Sequence, residues 1–234
     1  MGKTIGIVGG MGPLAGADLF VKITRLTSAA TDQGHLHILL DSNTAIPDRT
    51  AAILQGGPSP LPQLLQSCRR LEEAGAELLL LACNTAHYYY DELQPSIRGT
   101  LLHMPRETAR FCRRAGYRRV ALLATDGTAQ SGVYARELAR EGVEQLLPAP
   151  QDQAFLMSLI YGYVKAGRED MPAQPLLDAL ARLEQAGAEA FILGCTELPL
   201  AFERLGLLTP RTLDPTNILA RRAIEEAGGA LAAN

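Results

Sequence analysis

Two cysteines occupy the same place in a duplicated stretch of this chain. Residues 70–83 read RLEEAGAELLLLAC and residues 182–195 read RLEQAGAEAFILGC, with nine of fourteen positions identical and no gap. Each copy closes on a cysteine followed by polar residues, Cys83-Asn84-Thr85 and Cys195-Thr196-Glu197. A thiolate is a base and a thiol is an acid, with a free thiol titrating at about pH 8.5. Two such groups on matching lobes could face each other across a cleft and reach both faces of one carbon. One would remove a proton while the other supplied one. The polar residues after each cysteine read as helix starts, whose N–H groups and dipole would favour a thiolate. A buried cysteine is more often a small core residue. That reading is kept for Cys68 and Cys112, which fall within amphipathic helices, whereas Cys83 and Cys195 are set apart by their equivalence.

The elements that must position these thiols alternate along the chain. Strands are predicted over 4–9, 35–41, 77–83, 100–104, 119–125, 144–148, 189–195 and 211–214. Helices are predicted over 13–30, 60–74, 85–97, 106–115, 130–141, 151–166, 173–186, 198–205 and 215–228. Several strands are continuous apolar runs, as expected of parallel strands covered on both faces. The pattern predicts an α/β protein of two similar, doubly wound lobes with mostly parallel sheets, related by the internal repeat. The first lobe is expected over 1–99 plus 215–234 and the second over 100–214. Ligands of such sheets lie at the C-terminal ends of the strands. Gly9–Pro13, Cys83–Thr85, Thr125–Thr128 and Cys195–Glu197 are all expected at such ends, lining a cleft between the lobes.

Composition narrows the class. The chain has 234 residues, of which 47% are hydrophobic and 20% charged, with a net charge of −3. This gives no electrostatic footprint for nucleic acid or an anionic membrane. No apolar run approaches the roughly 20 residues that span a bilayer. MGKTIGIVGG enters a strand directly, without a signal peptide, so a cytoplasmic protein with reduced thiols is expected. No CxxC or Cys/His cluster suggests a metal site.

Other candidates have competing readings. Gly10-Met11-Gly12-Pro13-Leu14-Ala15 fits G-x-G-x-x-A after a strand, and Asp41 ends the second strand, as in NAD-binding units. Pro13 weakens that reading because it removes an N–H from the turn that would hold a pyrophosphate. A dehydrogenase also gives no reason for duplicated cysteines. Arg49 and Lys165, taken alone, read as ordinary surface charges. Asn84, Thr85 and Thr196 could be helix N-caps. His87 and Glu197 lie within a helical turn of the two cysteines and could be proton partners or plain helix-start residues.

Taken together, GGMGP (9–13), IPDRT (46–50), ACNTAH (82–87), ATDGT…SGVY (124–134), VKAG (164–167), GCTELP (194–199) and DPTNI (214–218) resemble the cofactor-independent aspartate/glutamate racemase family. The resemblance is closest to its aspartate racemase branch, since glutamate racemases typically carry a DSG-type opening turn and GCTH at the second cysteine. It implies racemisation of an acidic amino acid without pyridoxal phosphate, usually in a homodimer. It also implies that Cys83 and Cys195 transfer the proton. Met11, Asn84, Thr85, Ala86, Thr128 and Thr196 would hold the α-carboxylate and amino group, and Arg49 and Lys165 the side-chain carboxylate. A broad-specificity or hydantoin racemase is the nearest alternative, and a non-catalytic sensor of acidic amino acids a more distant one.

Overall fold

The structure is a computed structural model that describes residues 2–233. It resolves into two compact units, residues 2–107 with 216–233 and residues 108–215, each an α/β layer structure around one four-stranded parallel sheet. The strands of the first are β1 (Ile5–Gly9), β2 (Ile38–Ser42), β3 (Leu78–Leu81) and β4 (Thr100–Leu101), in the order β2-β1-β3-β4. Those of the second are β5 (Arg119–Leu123), β6 (Glu144–Leu146), β7 (Ala190–Leu193) and β8 (Thr212–Leu213), in the order β6-β5-β7-β8. The two sheets therefore share one topology.

In the first unit, α1 (Pro13–Leu26) follows β1, α2 (Arg49–Leu54) and α3 (Leu61–Glu73) follow β2, and α4 (Tyr90–Leu93) follows β3. The helix α5 (Met104–Arg114) contains the boundary between the units. In the second unit come α6 (Asp126–Gln130), α7 (Val133–Arg140), α8 (Pro150–Met157), α9 (Ala173–Gln185) and α10 (Leu198–Arg204). The last helix, α11 (Pro215–Glu226), packs in the first unit.

Side chains of a strand alternate between faces, and the first sheet shows why both must be covered. Ile5, Ile7, Leu78 and Leu80 pack against Leu19 and Ile23 of α1 and Leu219, Ala223 and Ile224 of α11. Val8, Leu79 and Leu81 pack on the opposite side against Leu64, Cys68 and Leu71 of α3. In the second unit, Ala121, Leu123, Phe191 and Leu193 meet Leu156, Leu176, Leu183 and Phe202.

The duplicated stretch encodes one local structure twice. Helix α3 ends where Gly75 N–H donates to Glu72 and Ala76 N–H to Leu71; α9 ends where Gly187 N–H donates to Glu184 and Ala188 N–H to Leu183. This is the Schellman cap, and it needs a left-handed residue after the helix. Gly75 and Gly187 supply it at φ of 100° and 94°. The chain then enters a fully buried central strand, β3 or β7.

Four expectations need correction. Residues 85–97 form no single helix. They run as a 3₁₀ turn Thr85–Tyr89, the single turn α4, and a second 3₁₀ turn Gln94–Ser96. The His87 ring takes the carbonyls of Cys83 and Asn84 that would open an α-helix, and Pro95 blocks its continuation. Residues 100–104 contain only the short β4, paired with β3 in the first sheet, so the first unit extends to 107 rather than ending at 99. The helix expected over 151–166 is α8 followed by a π-helical segment, Ser158–Val164. The cysteines do not close their strands but lie two residues beyond β3 and β7. Among the described residues, no helix is long and apolar enough to cross a membrane.

Candidate active site

Cys83 and Cys195 occupy equivalent backbone positions in their own sheets. Ala82 N–H donates to Val8 of the neighbouring strand at 3.0 Å, and Gly194 N–H donates to Leu123 at 2.7 Å. Each bond extends the parallel register by one step, so each cysteine follows in a fixed position at the C-terminal edge. Both thiols are buried. All four cysteines are free thiols. Burial, aided by the charge of Glu72, pushes Cys68 up to about 12, and burial pushes Cys112 to about 12 as well. Neither is a thiolate near neutrality, which agrees with their reading as core residues.

In the first unit, Met11, Ile46, Cys83, Ala86 and Tyr89 share one buried cluster. Met11 follows Gly10, whose φ of 89° and close approach to the Asn43 backbone leave no room for a Cβ. Arg49 is buried at the start of α2, where Asp48 accepts from Ala51 N–H as the N-cap. Its guanidinium donates to the carbonyls of Pro47 at 2.8 Å, Ile46 at 3.3 Å and Met11 at 3.2 Å. Arg49 thus ties the turn after β1 to the loop after β2, a task the sequence alone did not assign to it. Asn84 begins the 3₁₀ turn without a side-chain capping bond, so capping does not account for it.

His87 is wholly buried, and its Nδ1–H donates to the carbonyls of Cys83 at 2.9 Å and Asn84 at 3.3 Å. It holds the backbone of Cys83 rather than the thiol. Burial lowers its pKa to about 4 against the opposing pull of the Cys83, Asn84 and Leu102 carbonyls. Unfolded, it takes a proton at about pH 6.5. Between these values acid favours the unfolded chain, so stability falls as pH drops from about 6.5 to 4, by up to about 3 kcal/mol. Urea unfolding at pH 7 and pH 4.5 should show this loss in the native protein and a shallower pH dependence in His87→Gln.

The second unit brings four expected residues into one chain of contacts. Cys195 Sγ–H donates to Glu197 Oε2 at 3.0 Å, and Thr196 Oγ1–H donates to the same oxygen at 3.0 Å. Lys165 Nζ donates to Glu197 Oε1 at 2.6 Å. The π-helical segment delivers Lys165 there, closing an N–H bond from Lys165 to the carbonyl of Ile160, five residues back. Glu197 precedes α10, but its carboxylate is turned to these partners and does not cap the helix. Burial alone would raise Glu197, yet Lys165 and the donors from Cys195 and Thr196 outweigh it and hold the carboxyl below its usual range. Cys195 moves the other way. Burial and the Glu197 charge push its thiol well above the ordinary value despite the opposing Lys165 charge. The expectation that a helix start makes Cys195 a ready thiolate is therefore corrected: the adjacent carboxylate opposes it.

Thr128 is fully buried in α6, where Thr125 caps the helix by accepting from Thr128 N–H at 3.3 Å. Two neighbours went unpredicted. Tyr161 lies with its ring centroid 5.7 Å from Lys165 Nζ, at an i,i+4 spacing that the sequence displays. Tyr134 of α7 is fully buried within electrostatic range of Cys195, and burial keeps its phenol protonated. Among the described residues, no group of three or more His, Cys, Asp or Glu side chains is placed to hold a metal ion. Asp41, the candidate ribose ligand, pairs instead with Arg70 at 3.3 Å.

Paired parallel sheets carrying equivalent strand-end thiols define a class, and comparison with known proteins names it. Residues 8–223 match the Asp/Glu/Hydantoin racemase family, and the chain belongs to that family. The aspartate racemase of Picrophilus torridus superposes with a TM-score of 0.86 at 30% identity, covering 99% of this chain and 96% of that one. An aspartate racemase homologue from Pyrococcus horikoshii gives 0.78 at 28% identity, over 97% and 100%. The broad specificity amino-acid racemase RacX of Bacillus subtilis is 25% identical over 226 residues, 94% of this chain and 96% of its own length.

Proposed function

We propose that this chain racemises amino acids, with aspartate as its preferred substrate, by a two-base mechanism in which Cys83 and Cys195 exchange the Cα proton with the substrate. The observation that carries the reading is the hydrogen-bonded set Cys195–Glu197–Lys165, an acid/base group and a cation at the strand end equivalent to that of Cys83. The Cα proton of an amino acid is very weakly acidic, so negative charge must spread onto the α-carboxylate as it leaves. Backbone N–H groups and hydroxyls of Asn84, Thr85, Thr128 and Thr196, with Met11 and Ala86 shaping the site, would hold that charge by preorganised dipoles. The scheme needs the two thiols on opposite faces of one carbon. One removes the proton as thiolate, the other donates as thiol, and the roles swap for the mirror image. Arg49 and Lys165 supply positive charge for a second carboxylate.

A broader substrate range is the second reading. It is favoured by the engagement of Arg49 with three loop carbonyls and of Lys165 with Glu197, which the side chain of an acidic substrate would have to share. A panel of single enantiomers followed by chiral chromatography separates the two. Aspartate should racemise fastest, with glutamate next and neutral amino acids at least tenfold slower. Equal rates with alanine or serine would favour the broad-specificity reading, and no racemisation of any substrate would overturn both.

A further inference from the structure

We propose that Glu197 is the proton partner of Cys195, and that Lys165 governs on which of the two atoms, carboxylate oxygen or sulfur, their shared negative charge rests. The inference deepens the racemase reading and rests on it. Glu197 sits between the other two, with Oε2 accepting from the Cys195 thiol at 3.0 Å and Oε1 from Lys165 at 2.6 Å. The pair carries one negative charge, either as carboxylate with thiol or as carboxylic acid with thiolate. Moving between these states breaks the S–H bond and forms an O–H bond along a hydrogen bond that already exists. No electron is transferred and nothing leaves.

With Lys165 on Oε1, the charge is held on Glu197 and Cys195 is a thiol, the form that donates to a carbanion. A substrate carboxylate that takes the Lys165 ammonium loosens this hold. The charge can then pass to sulfur while the proton waits on Glu197, giving the thiolate that removes a Cα proton. An acidic side chain thus acts on the proton-transfer group as well as on binding. Neutral amino acids lack this lever. Tyr134, which lies within electrostatic range of Cys195, does not compete, because burial keeps it protonated. Thr196 donates to Oε2 and stabilises the carboxylate state. His87 has no matching role, because its ring is bonded to the Cys83 carbonyl and not to sulfur.

The test compares the native protein, Glu197→Gln and Glu197→Asp in two assays. One is aspartate racemisation, resolved into kcat and KM. The other is the rate of Cys195 carbamidomethylation by iodoacetamide across pH 6–10, read by peptide mass spectrometry. Gln keeps the shape but removes both the charge and the proton acceptor. It should lower kcat about 100-fold, the lower end for a general acid–base group, with little change in KM. The same change should speed alkylation at pH 8 about tenfold, because the opposing charge is gone. Glu197→Asp, still an acid, should recover part of kcat. Loss of kcat together with an alkylation pH profile displaced to lower pH, at an unchanged urea unfolding midpoint, is something a purely structural role or a folding defect would not produce, because unfolding would expose the buried Cys195 and speed its alkylation at every pH. An active native enzyme whose Glu197→Gln variant keeps kcat within threefold, or loses both rates together, would overturn the assignment and leave the racemase reading standing. A native protein that racemises nothing would overturn both.

Discussion

Replacing Cys195 or Cys83 with alanine is expected to abolish racemisation, each lowering the rate with either aspartate enantiomer by at least about 1,000-fold. General acid–base groups contribute about 10²–10⁴-fold each, and a two-base path needs both groups in every turnover, one to accept and one to donate. Neither variant should unfold the protein. Each cysteine lies beyond its strand, and the bonds that fix its position run from Ala82 and Gly194 backbone to Val8 and Leu123. The loss should therefore fall on kcat, with the thermal transition shifted little. The single variants should also differ from each other. Cys195 is linked to Glu197, whereas the equivalent position two residues after Cys83 is Thr85, and the His87 ring bonds to backbone. Chiral chromatography started from each pure enantiomer measures these rates. Substantial interconversion by either alanine variant would remove that cysteine from the mechanism.

The second large effect is expected at Arg49. Arg49→Lys keeps the charge but cannot bridge the carbonyls of Met11, Ile46 and Pro47, because a lysine ammonium lacks the planar fork of five donors. The turn after β1 and the loop after β2 would lose their link. A cation proposed for the substrate's second carboxylate would also be displaced. Truncating one partner of a buried charged contact costs about 2–5 kcal/mol, so kcat/KM for aspartate should fall by about 30-fold or more. A neutral amino acid, if turned over at all, should lose much less. Equal losses on acidic and neutral substrates would show that Arg49 acts only through the loops.

The repeated thiols, the parallel sheets and the core strands were legible in the sequence because their causes are local. The left-handed glycine of each RLE-x-AGAE stretch ends a helix and turns the chain into an apolar strand, whatever surrounds it. The contacts that give the second cysteine its character were not legible. Lys165 and Glu197 lie 32 positions apart, and the lysine reaches its partner only because the preceding segment winds as a π-helix. Nothing in SLIYGYV announces an N–H bond to the fifth residue back. The residues after Cys83 were misread as one helix for a related reason. A side chain, His87, competes for the carbonyls that a helix needs, and helical periodicity carries no trace of that bond. Arg49 was legible as a charge but not as a tie between loops, since its partners are backbone carbonyls.

The central claim is that a proton leaves one face of Cα and another arrives on the opposite face. Its most direct test is a brief incubation of the native protein with L-aspartate, and separately with D-aspartate, in deuterium oxide, followed by chiral separation and mass spectrometry. The two-thiol account predicts that the newly formed enantiomer carries one deuterium at Cα from the first turnovers, while recovered substrate keeps its hydrogen. Cys83→Ala and Cys195→Ala should show no formation of the new enantiomer. Product that retains the substrate's own hydrogen, or aspartate that stays unchanged in both position and configuration, would contradict it.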